Sequence, residues 1–167
     1  MSLHYEWTLS LRMHPDVPEA FVEELRYHLG LTDHAPADPT LDYPEPALAT
    51  GGSDELAGGA VARLVRQQHG SWPATWGLFA RTFVLDDTMY DLIQFFPQWL
   101  APWSLTQGWV GFAREELDLD PWLNFYIANG HAYAATPGQP HQALGSGAPA
   151  FTATQTIEPW PSPTGSG

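Results

Sequence analysis

The N-terminal part of the chain alternates between apolar and polar residues. From residue 4 to residue 14, Tyr5, Trp7 and three further apolar residues hold the odd positions, while Glu6 and other polar residues hold the even positions. A period of two is typical of a β-strand that buries one face and leaves the other polar. We therefore predict a strand over residues 4–14, which Pro15 ends.

A helix is predicted directly after this strand. Asp16 and Glu19 have the spacing of a capping box, and Pro18 suits the first turn of a helix. Gly30 is well placed to end it. The apolar residues that follow helical spacing between these limits are Ala20, Phe21, Leu25 and Leu29.

The next part of the chain divides into a loop and a second predicted helix. Residues 31–52 are rich in Pro, Asp, Ala and Thr without periodicity, which indicates a long surface loop. A helix from Ser53 to Gly70 is predicted because Ser53 can act as its N-cap. Gly58 and Gly59 in its interior weaken it by about 1 kcal/mol each. Its apolar stripe is Leu56, Ala60, Val61, Leu64 and Val65.

A second strand repeats part of the first. The segments 7–12 and 76–81 share Trp, Leu and Arg at matching places, and each is followed by Asp and a helical pattern. In the second copy the strand extends to Leu85, and Asp86 or Asp87 is expected to cap a helix that Pro97 kinks or ends. The repetition indicates a duplicated β–α unit. The apolar residues of this helix are Met89, Leu92, Ile93 and Phe96.

The rest of the chain has the pattern of β-strands. Asn129-Gly130 is a strong signal for a two-residue hairpin turn between two of them. The predicted strands are Trp109–Glu116, Trp122–Ala128 and His131–Ala135, with a possible edge strand over residues 151–157.

These elements predict an α+β fold. We expect a ferredoxin-like two-layer sandwich, with a mostly antiparallel sheet, helices on one face, a duplicated β–α unit and a C-terminal β extension. Residues 1–135 are interpreted as a single domain, residues 136–157 as a loop-rich extension and residues 158–167 as a tail. The residues expected to share the core are Trp7, Leu9, Leu11, Phe21, Leu25, Leu78, Leu92, Ile93, Phe96, Phe125 and Ile127.

Charge narrows the classes of partner. The chain of 167 residues has 19 acidic residues and 6 basic ones, all arginine, for a net charge of −13. Such a chain is not expected to bind nucleic acid or an anionic membrane, because phosphate binding needs clustered cations. The absence of cysteine excludes disulfides. Without a long apolar run or a signal-peptide pattern, we expect a soluble, cytoplasmic protein.

No motif for catalysis or for a cofactor is present. The seven histidines lack the spacings of metal ligands, and the nearest cluster is His28, Asp33 and His34. No serine stands in a nucleophile elbow, and no lysine exists to complete a phosphate loop. We therefore expect no bound metal, no cofactor and no catalytic residue.

The sheet face that the helices leave uncovered is the candidate site. Arg12 and Arg81 hold matching places in the two β–α copies, so both are expected on this face and could converge on one anion. Two close guanidinium groups repel each other, so we expect a carboxylate between them to balance their charge. It could come from Glu6 or Glu115, or from a ligand. The candidate binding residues are Arg12, Arg81, Phe79, Phe83, Trp122, Asn124 and Tyr126.

Two classes of function fit this face. The first is a non-catalytic interaction module that binds a protein partner, for instance a basic one, or a second copy of itself. The second is a protein or enzyme that binds a small carboxylate-bearing molecule in a cleft around Arg12 and Arg81, with His14 or a nearby acid as proton carrier. A structural subunit whose tail lies along a neighbour is a third interpretation.

Overall fold

The computed structural model describes residues 4–43, 45–48, 56–116 and 118–150, and this part is a mixed α+β fold. It contains a seven-stranded antiparallel sheet and two α-helices. The strands are β1 (His4–Met13), β2 (Val61–Gln67), β3 (Thr75–Leu85), β4 (Gly108–Glu115), β5 (Leu123–Ala128), β6 (His131–Ala135) and β7 (Gln142–Ala143). The helices are α1 (Glu19–His28) and α2 (Asp86–Leu100), and a 3-10 turn, Ala101–Trp103, follows α2.

The strand order is β2-β3-β1-β4-β5-β6-β7, and every neighbouring pair is antiparallel. Because β1 and β2 both run antiparallel to β3, they are parallel to each other with β3 between them. In the same way, β3 and β4 are parallel with β1 between them. The N-terminal strand therefore lies inside the sheet.

Both helices contribute to one hydrophobic core on one face of the sheet. The Trp7 ring on β1 makes edge contacts with Phe96 of α2 at 5.6 Å and with Phe125 of β5 at 5.7 Å between ring centroids. Phe21 of α1 stacks on Trp99 of α2 at 4.3 Å. Every residue that the sequence predicts for the core is buried, so this prediction is confirmed.

The helix starts differ from the prediction. The N-cap is Pro18 in α1 and Leu85 in α2, and neither makes a side-chain capping hydrogen bond. The predicted caps Asp16 and Asp86 or Asp87 are therefore wrong. Asp16 lies two residues before its N-cap, and the other two are the first residues inside α2, past the capping position.

The end of α1 is as predicted. Gly30 has a φ of +67°, and its N–H donates to the Tyr27 carbonyl at 2.9 Å. The N–H of Leu31 donates to the Arg26 carbonyl at 2.9 Å, which completes a Schellman motif. In α2, by contrast, the helix continues past Pro97 to its last residue.

The helix predicted over residues 53–70 is wrong, because its described part contains β2 instead. Gly58 and Gly59 have φ angles of +82° and +73°, so no helix passes through them. The strand begins just after these glycines with Val61, and Val65 is a second β-branched residue that favours extended backbone. The first three residues of the predicted helix lie outside the described part of the chain.

The loop after α1 is confirmed and packs against the core. Residues 31–43 and 45–48 contain neither helix nor strand. Leu41, Ala47 and Leu48 are nevertheless buried. The apolar residues of this segment therefore hold it on the body of the molecule.

The C-terminal strands follow the prediction to within a residue or two. Asn129 and Gly130 have φ angles of +50° and +75°, as a type I′ hairpin turn requires. The possible edge strand at 151–157 and the tail at 158–167 lie outside the described residues. The short strand β7 was not predicted.

Candidate functional site

The sheet has a second face, opposite the helices, which we call the open face. The register of the strands defines it, because Thr8 on β1 lies opposite both Arg81 on β3 and Phe112 on β4. Its members include Glu6, Thr8, Ser10 and Arg12 on β1, Arg63 and Val65 on β2, Gly77, Phe79, Arg81 and Phe83 on β3, Phe112 and Arg114 on β4, and Asn124 and Tyr126 on β5.

Six of the seven candidate residues lie on the open face, and Trp122 does not. The Trp122 ring lies 6.0 Å from that of Tyr5, which is buried on the helix side, and 6.3 Å from that of Tyr90 on α2. Its placement on the open face was therefore wrong. The alternation of faces holds within a strand, and Trp122 precedes the first residue of β5.

A buried ion-pair cluster occupies the centre of the open face. Glu6 is 5% exposed, and its carboxylate accepts a hydrogen bond from Arg81 Nε at 2.7 Å and another from Arg114 Nη2. The Arg81 Nη1 group also donates to the carbonyl of Ala57. Of the two internal partners expected for Arg81, Glu6 is the one that pairs with it, and this cluster joins β3, β1 and β4.

Glu6 remains charged in this position. Burial acts to raise the pKa of Glu6, but the hydrogen bonds and positive charges of Arg81 and Arg114 act the other way, and the pKa is lowered overall. The carboxylate is therefore ionised at neutral pH, and much of the positive charge of its two partners is balanced within the fold.

Arg12 shares a face with Arg81, as expected, but the two side chains do not converge. Arg12 lies opposite Gly77, four residues along β1 from Thr8, so its Cα is about 14 Å from that of Arg81. Arg81 is directed towards Glu6, further still from Arg12. Nη2 of Arg12 instead lies 3.4 Å from Nε2 of His69.

The cations of the chain are concentrated on this face. Arg12, Arg63, Arg81 and Arg114 lie on it, which is four of the six arginines. Among the described strand residues of the open face, Glu6 is the only acid. In a chain with a net charge of −13, the described strand residues of this face thus carry a net positive charge. The other two arginines, Arg26 and Arg66, lie near the Trp76 ring at 5.7 and 5.8 Å, on the helix side.

Two of these cations, Arg63 and Arg114, were missed by sequence reasoning. Arg63 was missed because its segment was interpreted as a helix. The signal that would have found it is the alternation of Val61, Arg63 and Val65, which gives one face of a strand. Arg114 was left out because the register of β4 could not be read from its sequence.

Exposed aromatic rings accompany the arginines. Phe79 is 38% exposed and Trp109 is 50% exposed. A shift of register between Trp109 and Gly111 lets the Trp109 ring stack on Phe112, with 6.4 Å between centroids. Nε1 of Trp109 donates to Oδ1 of Asn124 at 3.0 Å. These contacts fix the Trp109 ring while leaving half of its surface in water.

One end of the open face is covered by the chain itself. The Tyr126 ring lies 4.3 Å from the ring of His141. Tyr133, opposite Tyr126 on β6, donates from its hydroxyl to the carbonyl of Pro149 at 2.9 Å. On the remaining strands of the face, Phe79 of β3 and Trp109 of β4 stay exposed, whereas Glu6 and Thr8 at its centre are buried.

The residues His28, Asp33 and His34, which lie nearest to one another in the sequence among possible metal ligands, do not form a metal site in the described part of the chain. His28 is buried, and its Nδ1 accepts a hydrogen bond from the amide of Ala47 at 3.3 Å. His34 is exposed and contacts Thr32 instead. Within the described ranges, no group of three His, Asp or Glu side chains could hold a metal ion.

Comparison with protein-family models, with curated proteins and with solved structures gives no match to this chain. No helix in the described part of the chain is long and apolar enough to cross a membrane.

Proposed function

We propose that the chain is a non-catalytic interaction module that binds a protein partner through the open face. The observation that carries this proposal is the concentration of four of the six arginines beside the exposed Phe79 and Trp109. Arginine and aromatic residues are enriched in protein interfaces and dominate their binding energy.

The charge of the face favours a partner other than a second copy placed face to face. A twofold contact through the open face would bring the same arginines of both copies together. Like charges across an interface cost several kcal/mol. A partner with acidic groups would meet this face without that cost.

A small carboxylate-bearing ligand between Arg12 and Arg81 has less support. Arg81 already has Glu6 as its carboxylate partner, and its guanidinium group is directed away from Arg12. A ligand at that place would have to compete with an ion pair inside the fold.

The proposed architecture of this module is a ferredoxin-like core with a C-terminal β extension. In this view β1-α1 and β3-α2 are the two copies of a β–α unit. The strands β2 and β4 follow them and complete two split β-α-β arrangements, β1-α1-β2 and β3-α2-β4. The interleaved order β2-β3-β1-β4 supports this interpretation, since each split pair encloses one strand of the other. The strands β5, β6 and β7 extend the sheet beyond β4.

Site-specific crosslinking in the native cell tests the proposed function. A photo-reactive phenylalanine analogue at Phe79 should give one discrete protein adduct, because this ring is exposed on the open face. The matched control is the same analogue at Phe95, which is 45% exposed on α2 and therefore equally accessible.

Three results would contradict the proposal. One is the absence of an adduct from Phe79, and another is an equal yield of the same adduct from Phe95. The third is an adduct with the mass of two copies of the 18.4 kDa chain, which would indicate self-association instead.

A further inference from the structure

We propose that the open face contains a carboxylate-binding site between Arg12 and Arg63, which receives an acidic side chain of the partner protein. This inference rests on the proposed function, and it specifies the chemistry of the partner. The site lies at the end of the face formed by β2, β3 and the C-terminal half of β1, away from the Glu6 ion pairs.

The strand register brings the two arginines to either side of one aromatic ring. Arg63 lies opposite Phe79, and Phe79 lies opposite Ser10, which is two residues from Arg12 on the same face. The two arginine Cα atoms are therefore about 12 Å apart. Guanidinium groups on side chains of this length can reach a common carboxylate above the ring.

These two arginines have no carboxylate partner among the described residues. Arg63 makes no ion pair or hydrogen bond within that part of the chain, and the side-chain contact of Arg12 there is with the imidazole of His69. Arg81 and Arg114, by contrast, share Glu6. Among the described residues, the open face thus has two arginines that share one carboxylate at its centre and two arginines without a carboxylate partner at this end.

The polar groups beside this site include an amide and an imidazole, and its described strand residues include no acid. Gln67 lies over Gly77, since a Cβ at Gly77 would be 2.9 Å from Gln67 Oε1. The absence of a side chain at Gly77 therefore lets the Gln67 amide lie close to the sheet, in the row that also contains Arg12 and Val65. Guanidinium groups have donors only, and a carboxylate accepts from arginine in a bidentate geometry.

An acidic peptide fits this site better than a nucleic acid does. Two arginines without an acid among the described residues can balance one or two carboxylates, whereas tight phosphate binding requires neutralising many charges along a strand. The remaining surface of this acidic chain would repel such a polyanion. The exposed ring of Phe79 offers apolar contact to the residues beside the acid.

The test is a binding measurement with defined probes at about 0.15 M ionic strength, where charges more than about 8 Å apart are largely screened. Fluorescence anisotropy would compare a labelled twelve-residue polyglutamate, a polyglutamine of equal length and a twelve-nucleotide oligothymidine. We expect the glutamate peptide to bind about tenfold more tightly than the other two. Arg12→Gln and Arg63→Gln should each weaken it about threefold, as for the loss of an exposed ion pair.

The matched control is Arg66→Gln, which removes the same charge from the same strand but on the helix side. It should leave the affinity within about 1.5-fold of the parent. A loss equal to that of Arg63→Gln would mean that the attraction is not specific to this face and would overturn the proposal. Tighter binding of the oligothymidine, or no binding of the glutamate peptide to the parent, would overturn it as well.

The two proposals fail in different ways. If the crosslink at Phe79 forms but the glutamate peptide does not bind, the module has a partner that is not recognised through an acid, and only this inference is wrong. If the glutamate peptide binds and Arg63→Gln weakens that binding while no crosslink forms, the carboxylate-binding site is supported and the proposed protein partner is not. Urea unfolding of each variant checks that these exposed substitutions leave the fold intact.

Discussion

Two glutamates, Glu6 and Glu24, are almost completely buried, and they are stabilised by different kinds of donor. Glu6 lies on the open face and is paired with the guanidinium groups of Arg81 and Arg114. Glu24 is 1% exposed on α1 and is held by neutral groups of the long loop. The Glu6 carboxylate therefore links neighbouring strands through two guanidinium groups. The Glu24 carboxylate holds the loop after α1 through backbone amides.

The contacts of Glu24 explain why the loop after α1 is ordered. Oε1 of Glu24 accepts hydrogen bonds from the amides of Thr40 and Leu41 at 2.7 and 2.8 Å, and Oε2 accepts one from the Thr40 hydroxyl at 2.6 Å. The same hydroxyl accepts from Nε1 of Trp99 at 2.8 Å. Charge-assisted hydrogen bonds of this kind are stronger than neutral ones.

The different partners of Glu6 and Glu24 show how a chain with six arginines distributes its positive charge. Glu24 is buried without using any of them, whereas Glu6 uses two. Arg12 and Arg63 are left without an acid among the described residues, on the face that we assign to the partner. Under our proposal, the cations that stabilise the fold and those that bind the partner lie on one surface, and only their ion pairs distinguish them.

The largest effect is expected from Glu24→Ala. The substitution leaves the amides of Thr40 and Leu41 without their acceptor in a buried place, and we expect it to lower the free energy of unfolding by about 3–5 kcal/mol. Urea unfolding monitored by tryptophan fluorescence measures the loss. Glu24→Gln, which keeps one acceptor oxygen, should cost less. A loss below about 1 kcal/mol for the alanine variant would show that the loop does not depend on this carboxylate.

A smaller loss is expected from Glu6→Ala, about 1–2 kcal/mol, because the partly exposed Arg81 and Arg114 can be hydrated when their partner is removed. The same unfolding measurement applies. A double-mutant cycle with Arg114→Met isolates the pair, since the two substitutions should be less than additive. If Glu6→Ala destabilises more than Glu24→Ala, the comparison between the two sites is reversed.

Acid should weaken the Glu6 cluster in a defined window. The folded pKa of Glu6 is below its ordinary value of 4.5, so this contribution to stability is present above pH 4.5 and is lost as the pH falls from there through the folded pKa. Glu6→Gln should therefore lose less stability than the parent as the pH falls below 4.5. Parallel acid dependence in the two proteins would contradict the assignment.

The smallest effect concerns His28, whose Nε2 lies 3.9 Å from Oε1 of Glu24. Burial lowers the pKa of His28 from 6.5 by more than Glu24 raises it. The neutral ring contributes stability that is present above pH 6.5 and is lost as the pH falls through the folded pKa. His28→Gln should flatten this slope. An NMR titration of the ring with a midpoint at or above 6.5 would show that the sign is wrong.

Local periodicity explains what could be predicted from the sequence. The strands β1 and β3 and the buried face of both helices follow from alternation or helical spacing alone, and the core residues were correct for the same reason. The segment that became β2 has apolar residues at 61, 64 and 65, which fit a helix as well as a strand. There the two glycines before Val61 have positive φ angles, which a helix cannot contain. From the sequence, they were interpreted only as residues that destabilise the predicted helix.

Pairing across strands could not be predicted in the same way. Which acid meets Arg81 depends on the register of β1 against β3 and β4, and that register is set by contacts between residues far apart in the chain. The partner Glu6 was one of two alternatives, and Arg114 was not anticipated. Trp122 was misplaced because alternation was extended one residue beyond its strand.

The central position of β1 has a consequence for the synthesis of the chain. Its hydrogen-bonded neighbours are β3 and β4, at residues 75–85 and 108–115, so β1 leaves the ribosome before either partner, and the nearer partner is complete only about 70 residues later. At about 5–20 residues per second, this wait lasts about 4–14 seconds. During that time Trp7, Leu9 and Leu11 are exposed together, and we expect this segment to be the one that a chaperone holds while the protein is being made.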